Sequence, residues 1–126
     1  MSPSGFTADR FERAFKKLDK PGMAGLGQAL CLAEAETGVN ALVLAGIISL
    51  ESGWGTSALA RDKCNMAGLG AYDGNEYVSA ICFESREECV MFLAGLLRDK
   101  CKTNACQLNV GQTRDNQGDF LGTLED

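Results

Sequence analysis

Residues 40–53, NALVLAGIISLESG, constrain the fold of this chain more than any other stretch. Asn40 suits a helix N-cap, because its side-chain oxygen can accept the unpaired amides of a first turn. Gly53 suits the left-handed residue that ends a helix. Between them the residues are apolar on nearly all sides, so this helix belongs at the centre of a domain with other elements packed around it. Glu51 at its last turn is the exception. Terminal carbonyls form the negative end of the helix dipole and burial disfavours charge, so both effects are expected to raise the pKa of Glu51. A carboxylic acid still protonated near neutral pH can donate its proton to a leaving group. Gly53 and Gly55 allow a sharp turn behind it, and Trp54 can wall a site or stack on a sugar ring. The plain alternative is a helix-end glutamate with no role beyond the surface.

Around this centre the pattern predicts further helices. Phe11, Phe15 and Leu18 recur at helical spacing after Thr7, an N-cap candidate with Asp9 in the first turn, and that helix should end near Pro21-Gly22. Leu26, Leu30 and Ala33 mark a second helix running to Gly38. Thr56-Ser57 can start a short helical turn, Ala58 to Arg61. Between Asn65 and Phe83 glycines, a Tyr-Asp-Gly-Asn turn and the β-prone Tyr77-Val78-Ser79-Ala80-Ile81 predict a small hairpin. Ser85-Arg86-Glu87-Glu88 reads as a capping box, with Glu88 reaching back to the cap amide, and opens a helix carrying Val90, Phe92, Leu93, Leu96 and Leu97. From Lys102 onward the chain reads as a loop, with a last helical turn around Phe120, Leu121 and Leu124.

At 126 residues the chain is expected to form one domain, 1–126, with a single core. The longest apolar run, Ala41 to Leu50, is too short to span a bilayer, so no membrane insertion is expected. The polar, amphipathic N-terminus shows no secretory signal. Twelve Lys and Arg against seventeen Asp and Glu give a net charge of −5 with the cations scattered, which argues against nucleic acid as a partner. Six cysteines stand at 31, 64, 82, 89, 101 and 106, and there is no histidine. Imidazole-based zinc sites are therefore excluded, no C-x2-C knuckle is present, and neither metal nor cofactor is expected. Disulfides among Cys82, Cys89, Cys101 and Cys106 could staple the capped helix to its neighbours; buried free thiols are the other reading, with Cys31 inside a helical apolar pattern.

Leu50 to Ala60, LESGWGTSALA, resembles the catalytic-helix signature Glu-Ser-x-Trp-Gly-x-Ser-x-Leu-Ala of the peptidoglycan N-acetylglucosaminidases of the lysozyme superfamily. Downstream, Cys64 to Asp73, CNMAGLGAYD, is similar to that family's Asn-Asn-x-Phe-Gly-x-x-Ala-Tyr-Asp segment, with Met66 and Ala67 where larger or aromatic residues are common. Tyr77 to Ser85 resembles the strand and polar cap that follow. The resemblance covers roughly residues 39–97.

It implies a mainly α (α+β) lysozyme-like fold: a helical lobe and a short β-hairpin flanking a groove for a glycan strand. Glu51 would be the general acid. Asp73 and Glu76, on or beside the hairpin turn, are the candidates for a second carboxylate, although a turn aspartate commonly bonds its own backbone. Trp54, Ser57, Asn65, Tyr72 and Tyr77 would line the sugar groove; packing is the alternative for the tyrosines. The implied function is an endo-β-N-acetylglucosaminidase that degrades cell-wall peptidoglycan. A muramidase or a lytic transglycosylase of the same superfamily is the alternative within chemistry, and a non-catalytic glycan-binding or virion structural module the alternative outside it. The implied partner is the peptidoglycan strand, met in the cell wall from the extracellular or periplasmic side or from a virion. The chain would act as a monomer or as a domain of a larger protein or phage particle.

Overall fold

The computed structural model describes residues 2–71 and 74–102, the side chains of 101 and 102 excepted. Over that span the protein is mainly helical. Its order is α1 (Ala8–Lys17), a 3-10 turn (Pro21–Met23), α2 (Gly27–Thr37), α3 (Ala41–Ser52), α4 (Ala58–Lys63), α5 (Glu76–Ser79) and α6 (Arg86–Lys102). Phe11, Phe15, Leu30, Leu44, Ile48, Met66 and Val90 meet in one core. Both α1 and α6 pack on α2, and α3 packs on α2 and α6.

The caps read from the sequence are the caps observed. Thr7 Oγ1 accepts the Arg10 amide at 3.2 Å, and Asn40 Oδ1 accepts those of Leu42 and Val43 at 2.8 and 3.3 Å. Gly38 and Gly53 end α2 and α3 in the left-handed conformation. Ser85 Oγ accepts the Glu88 amide at 3.1 Å, but the Glu88 carboxylate reaches the amide of Glu84 at 3.3 Å, one residue before the expected one.

Two carboxylates cap helices from a distance, which sequence spacing does not reveal. Glu12 of α1 accepts the amides of Gly25 and Gly27 at 2.8 and 2.7 Å, closing the start of α2, whose Leu26 offers no side-chain cap. Glu34 of α2 accepts the amides of Ser4 at 2.7 Å and Ala41 at 2.9 Å, tying the N-terminal segment to the start of α3. Burial acts to raise the Glu34 carboxyl, but its hydrogen bonds to Ala41 and Ser4 outweigh that and hold it below its ordinary value. A depressed carboxyl contributes stability that is fully present above the unfolded value of about 4.3 and is lost as pH falls through the folded value. Glu34→Gln should therefore lower the melting temperature at pH 7, with the gap to the parent narrowing in titration toward pH 3. A gap that is constant with pH would contradict this role.

The hairpin expected between Asn65 and Phe83 is not found among the described residues, which contain no strand. Tyr77 to Ser79 belong to the helical turn α5, and the backbone becomes extended only at Ala80. The cause is tertiary. The Lys63 ammonium, at the end of α4, donates to the carbonyls of Tyr77, Val78 and Ala80, the last at 3.3 Å. A cation on the final carbonyls stabilises a helical turn that β-branched and aromatic residues do not favour alone. Beyond it, Ile81 donates to Leu69 O and Phe83 to Lys63 O, both at 2.9 Å, as single links instead of a ladder.

The staples expected of Cys82 and Cys89 are also corrected. Cys31, Cys64, Cys82 and Cys89 are free thiols; the Cys101 side chain and Cys106 lie outside the described residues, as do Phe120, Leu121 and Leu124. Cys82 is exposed, whereas Cys89 is fully buried and its sulfur accepts the Met66 amide at 3.3 Å. Burial pushes the Cys89 thiol up, and only the thiolate is an effective nucleophile. Iodoacetamide should thus label Cys82 on the order of 100-fold faster than Cys89 in the native protein, the two merging after denaturation. Mass spectrometry of tryptic peptides separates them at Arg86, and equal native rates would refute the assignment of Cys89 to the core.

Candidate functional site

Glu51 sits on the last turn of α3 and is exposed. The burial expected of it is absent: α3 is covered along Leu44, Ala45, Ile48, Ser49 and Ser52, but its final turn emerges from the core with Leu50 and Glu51 outward. The carboxylate faces Gly68, where a Cβ would lie 3.9 Å from Oε2.

Behind Glu51 the backbone makes a turn whose hub is Ser52, wholly buried. Its hydroxyl donates to Ile48 O at 2.6 Å and accepts the Gly55 amide at 2.8 Å, while its carbonyl accepts Thr56 and Ser57, each at 3.0 Å. Gly53, Trp54 and Gly55 all have positive φ, at 58°, 58° and 84°. For a bulky residue such as Trp54 that conformation is strained, and strained residues persist where the surroundings fix them. Trp54 is half-buried, its amide donates to Ser49 O at 2.9 Å, and Lys20 Nζ stands 5.3 Å from the centre of its ring. Ser57 is half-buried as the N-cap of α4, accepting the Ala60 amide at 3.1 Å. That hydroxyl's first task is to start a helix.

Asn65, expected in the sugar groove, is instead buried to 1% exposure. Its Nδ2 donates to Leu69 O at 2.8 Å and Ile81 O at 3.0 Å, and its Oδ1 accepts the amides of Ala67 and Leu69 at 3.3 and 3.0 Å. The amide is fully engaged and positions the loop that carries Gly68. A buried node of this kind leaves no trace in sequence periodicity.

Glu76 is exposed at the first position of α5, and Oε1 accepts the Gly74 amide at 3.1 Å. Its own backbone amide and that of Gly74 hold its carboxyl below the ordinary range, which favours the charged form. Tyr77 is half-exposed; its hydroxyl donates to Asp62 at 3.0 Å and Lys63 Nζ lies 4.9 Å from its ring centre. The bond to Asp62 raises the Tyr77 phenol. Tyr72 and Asp73 fall outside the described residues. The structure thus brings Glu51, Trp54, the Ser52 turn and the Gly68 loop into one region, and links the Glu76–Ile81 segment to that loop through Asn65 and the Ile81–Leu69 bond. Sequence reading missed Ser52, Asp62 and Lys63, whose roles depend on partners distant in space or on buried geometry. No group of three His, Cys, Asp or Glu among the described residues is placed to hold a metal ion, and no helix among them is long and apolar enough to cross a membrane.

Comparison with known proteins gives a family. A family model described as glucosaminidase, mannosyl-glycoprotein endo-beta-N-acetylglucosaminidase, matches residues 27–120. The chain is 31% identical over 90 residues to a protein of Streptococcus pneumoniae serotype 4 described as a candidate endo-beta-N-acetylglucosaminidase, and equally to its counterpart in strain R6. The aligned region is 70% of this chain but only 14% and 13% of those relatives. The match takes in α3 with Glu51, the Ser52 turn and the Gly68 loop, and by it the chain belongs to the glucosaminidase family.

Proposed function

We propose that the protein is a glycosidase that cuts the β-1,4 glycan of bacterial peptidoglycan after N-acetylglucosamine, with Glu51 as general acid. The observation that carries this is the placement of an exposed carboxyl beside a strained, fixed Trp54 turn and a glycine loop, in a chain of the glucosaminidase family. Glu51 protonates the glycosidic oxygen as the C1–O bond breaks, and water adds to the oxocarbenium-like C1. The water's proton passes to a second carboxylate, for which Glu76 and Asp73 are the candidates; the charge-favouring surroundings of Glu76 suit that role. A glycan laid across Glu51 excludes water from it, supplying the desolvation that the free protein lacks. Trp54 and Tyr77 offer ring faces or edges to sugars. In this reading residues 1–126 act as one lysozyme-like unit with a glycan groove, at the cell wall from outside the cytoplasm, alone or as part of a larger protein or virion.

Purified peptidoglycan digested with the protein and reduced with borohydride should yield N-acetylglucosaminitol at new ends. N-acetylmuramic ends would make it a muramidase and borohydride-resistant anhydro ends a lytic transglycosylase. The second reading within chemistry, the transglycosylase, is favoured if Glu76→Gln, Asp73→Asn and the double variant all stay active, since that reaction needs one acid and no activated water. No release from several wall types would leave a glycan-binding module.

A further inference from the structure

Two contacts from outside α3 reach the turn behind Glu51, and a third braces one of them from α6. Gly22, in the 3-10 turn, and Gly55 meet backbone to backbone: a Cβ on Gly55 would lie 2.2 Å from Gly22 O, and one on Gly22 would lie 2.5 Å from Trp54 O. No side chain fits on either side. The same Gly22 carbonyl accepts Arg86 Nη1 at 2.9 Å, while Nη2 donates to Ala24 O at 2.7 Å. A planar guanidinium holding two carbonyls in one fork fixes the 3-10 turn rigidly against the first residue of α6. Lys20, two residues before Gly22, lies over the Trp54 ring.

We infer that Arg86 is a positioning residue for Glu51, acting through the Gly22–Gly55 contact, and that residues 20–22, ahead of the matched region 27–120, are an integral wall of the site. The inference rests on the reading of Glu51 as the acid. It follows from mechanics: Glu51 and Trp54 are separated by only two residues, the turn between them is strained, and a strained turn keeps its geometry only while its neighbours hold it. Release of Gly22 lets Trp54 relax and turns the last residues of α3 with it.

Trp54 is the single tryptophan, so intrinsic fluorescence reports this turn alone. In Arg86→Ala its emission should shift to the red and become more open to acrylamide quenching. Activity on peptidoglycan should fall in kcat about 10–100-fold, because misplacing an acid costs the chemical step, with a smaller rise in KM as the Trp54 ring shifts beside the sugar. Arg86→Lys, which keeps the charge on a single nitrogen but loses the fork, should recover part of both signals, and Arg13→Ala, at an exposed ion pair with Asp9, should change neither. If Arg86→Ala folds with a lower melting temperature yet keeps the parent emission and kcat, Arg86 only stabilises and the inference fails. It fails equally if emission shifts while kcat does not. Should Arg86→Ala not fold, Arg86→Lys decides by the same two readouts, a joint change supporting the inference and no change overturning it. Full activity of Glu51→Gln would instead sink the assignment of the acid, which leaves the fluorescence result standing as a separate finding about the turn.

Discussion

Glu51→Gln should leave the fold intact and reduce glycan cleavage by at least about 100-fold, the lower end of what general-acid catalysis supplies. The amide is nearly the same size as the carboxyl, and the position is exposed, so the stability change should stay within about 0.5 kcal/mol. What the amide lacks is a proton that it can give to a departing glycosidic oxygen. The loss should fall on kcat with little change in KM, because the glycan contacts of Trp54 and Tyr77 remain. Circular dichroism and the melting curve check the fold, and release of reducing ends from sacculi checks the activity. Parent-level lysis by a folded Glu51→Gln protein would end the proposal that this carboxyl is the acid.

Asn65→Ala should show the second large effect, through stability first. Four hydrogen bonds converge on one buried amide, and truncation strips the Ala67 and Leu69 amides and the Leu69 and Ile81 carbonyls of their Asn65 partner. Each buried group left unpaired costs about 1–3 kcal/mol, so a total of roughly 2–4 kcal/mol is expected after relaxation and water entry. For a domain of this size that corresponds to a fall in melting temperature on the order of 10–20 °C. Activity should fall as well in the protein that remains folded, by about tenfold, because the loop bearing Gly68 is released beside Glu51. Asn65→Asp keeps the acceptor but loses both donors and buries a charge, and it should be at least as damaging. A melting temperature within about 2 °C of the parent for Asn65→Ala would show that the loop is held by other means.

These two residues also divide what could be read from the chain alone. Asn40, Gly38, Gly53, Thr7 and Ser85 announced the ends of helices because capping is local: the side chain and the amides that it bonds lie within a few residues. The apolar run of α3 announced a central helix for a similar reason, and Glu51 was conspicuous as the lone charge at its end. A resemblance to the family was legible too, since the order of residues from Leu50 to Ala60 carries it, and that stretch lies within the matched span 27–120.

Burial and long-range pairing were decided elsewhere. Glu51 is exposed because the core formed by α2, α3 and α6 covers Ile48 and Ser52 but stops short of the outer face of the last turn, which no periodicity records. Tyr77 to Ser79 became helical because Lys63, more than ten residues earlier, caps the carbonyls of Tyr77, Val78 and Ala80, outweighing a β preference that is a property of surroundings more than of the backbone. Asn65 looked like a ligand contact and is a buried node, because only the fold brings the carbonyls of Leu69 and Ile81 together at its amide nitrogen. Helix ends and the identity of the acid candidate were thus set by local chemistry written in the sequence. The shape of the space in front of that acid was set by tertiary packing, since the groups that build it come from segments far apart along the chain.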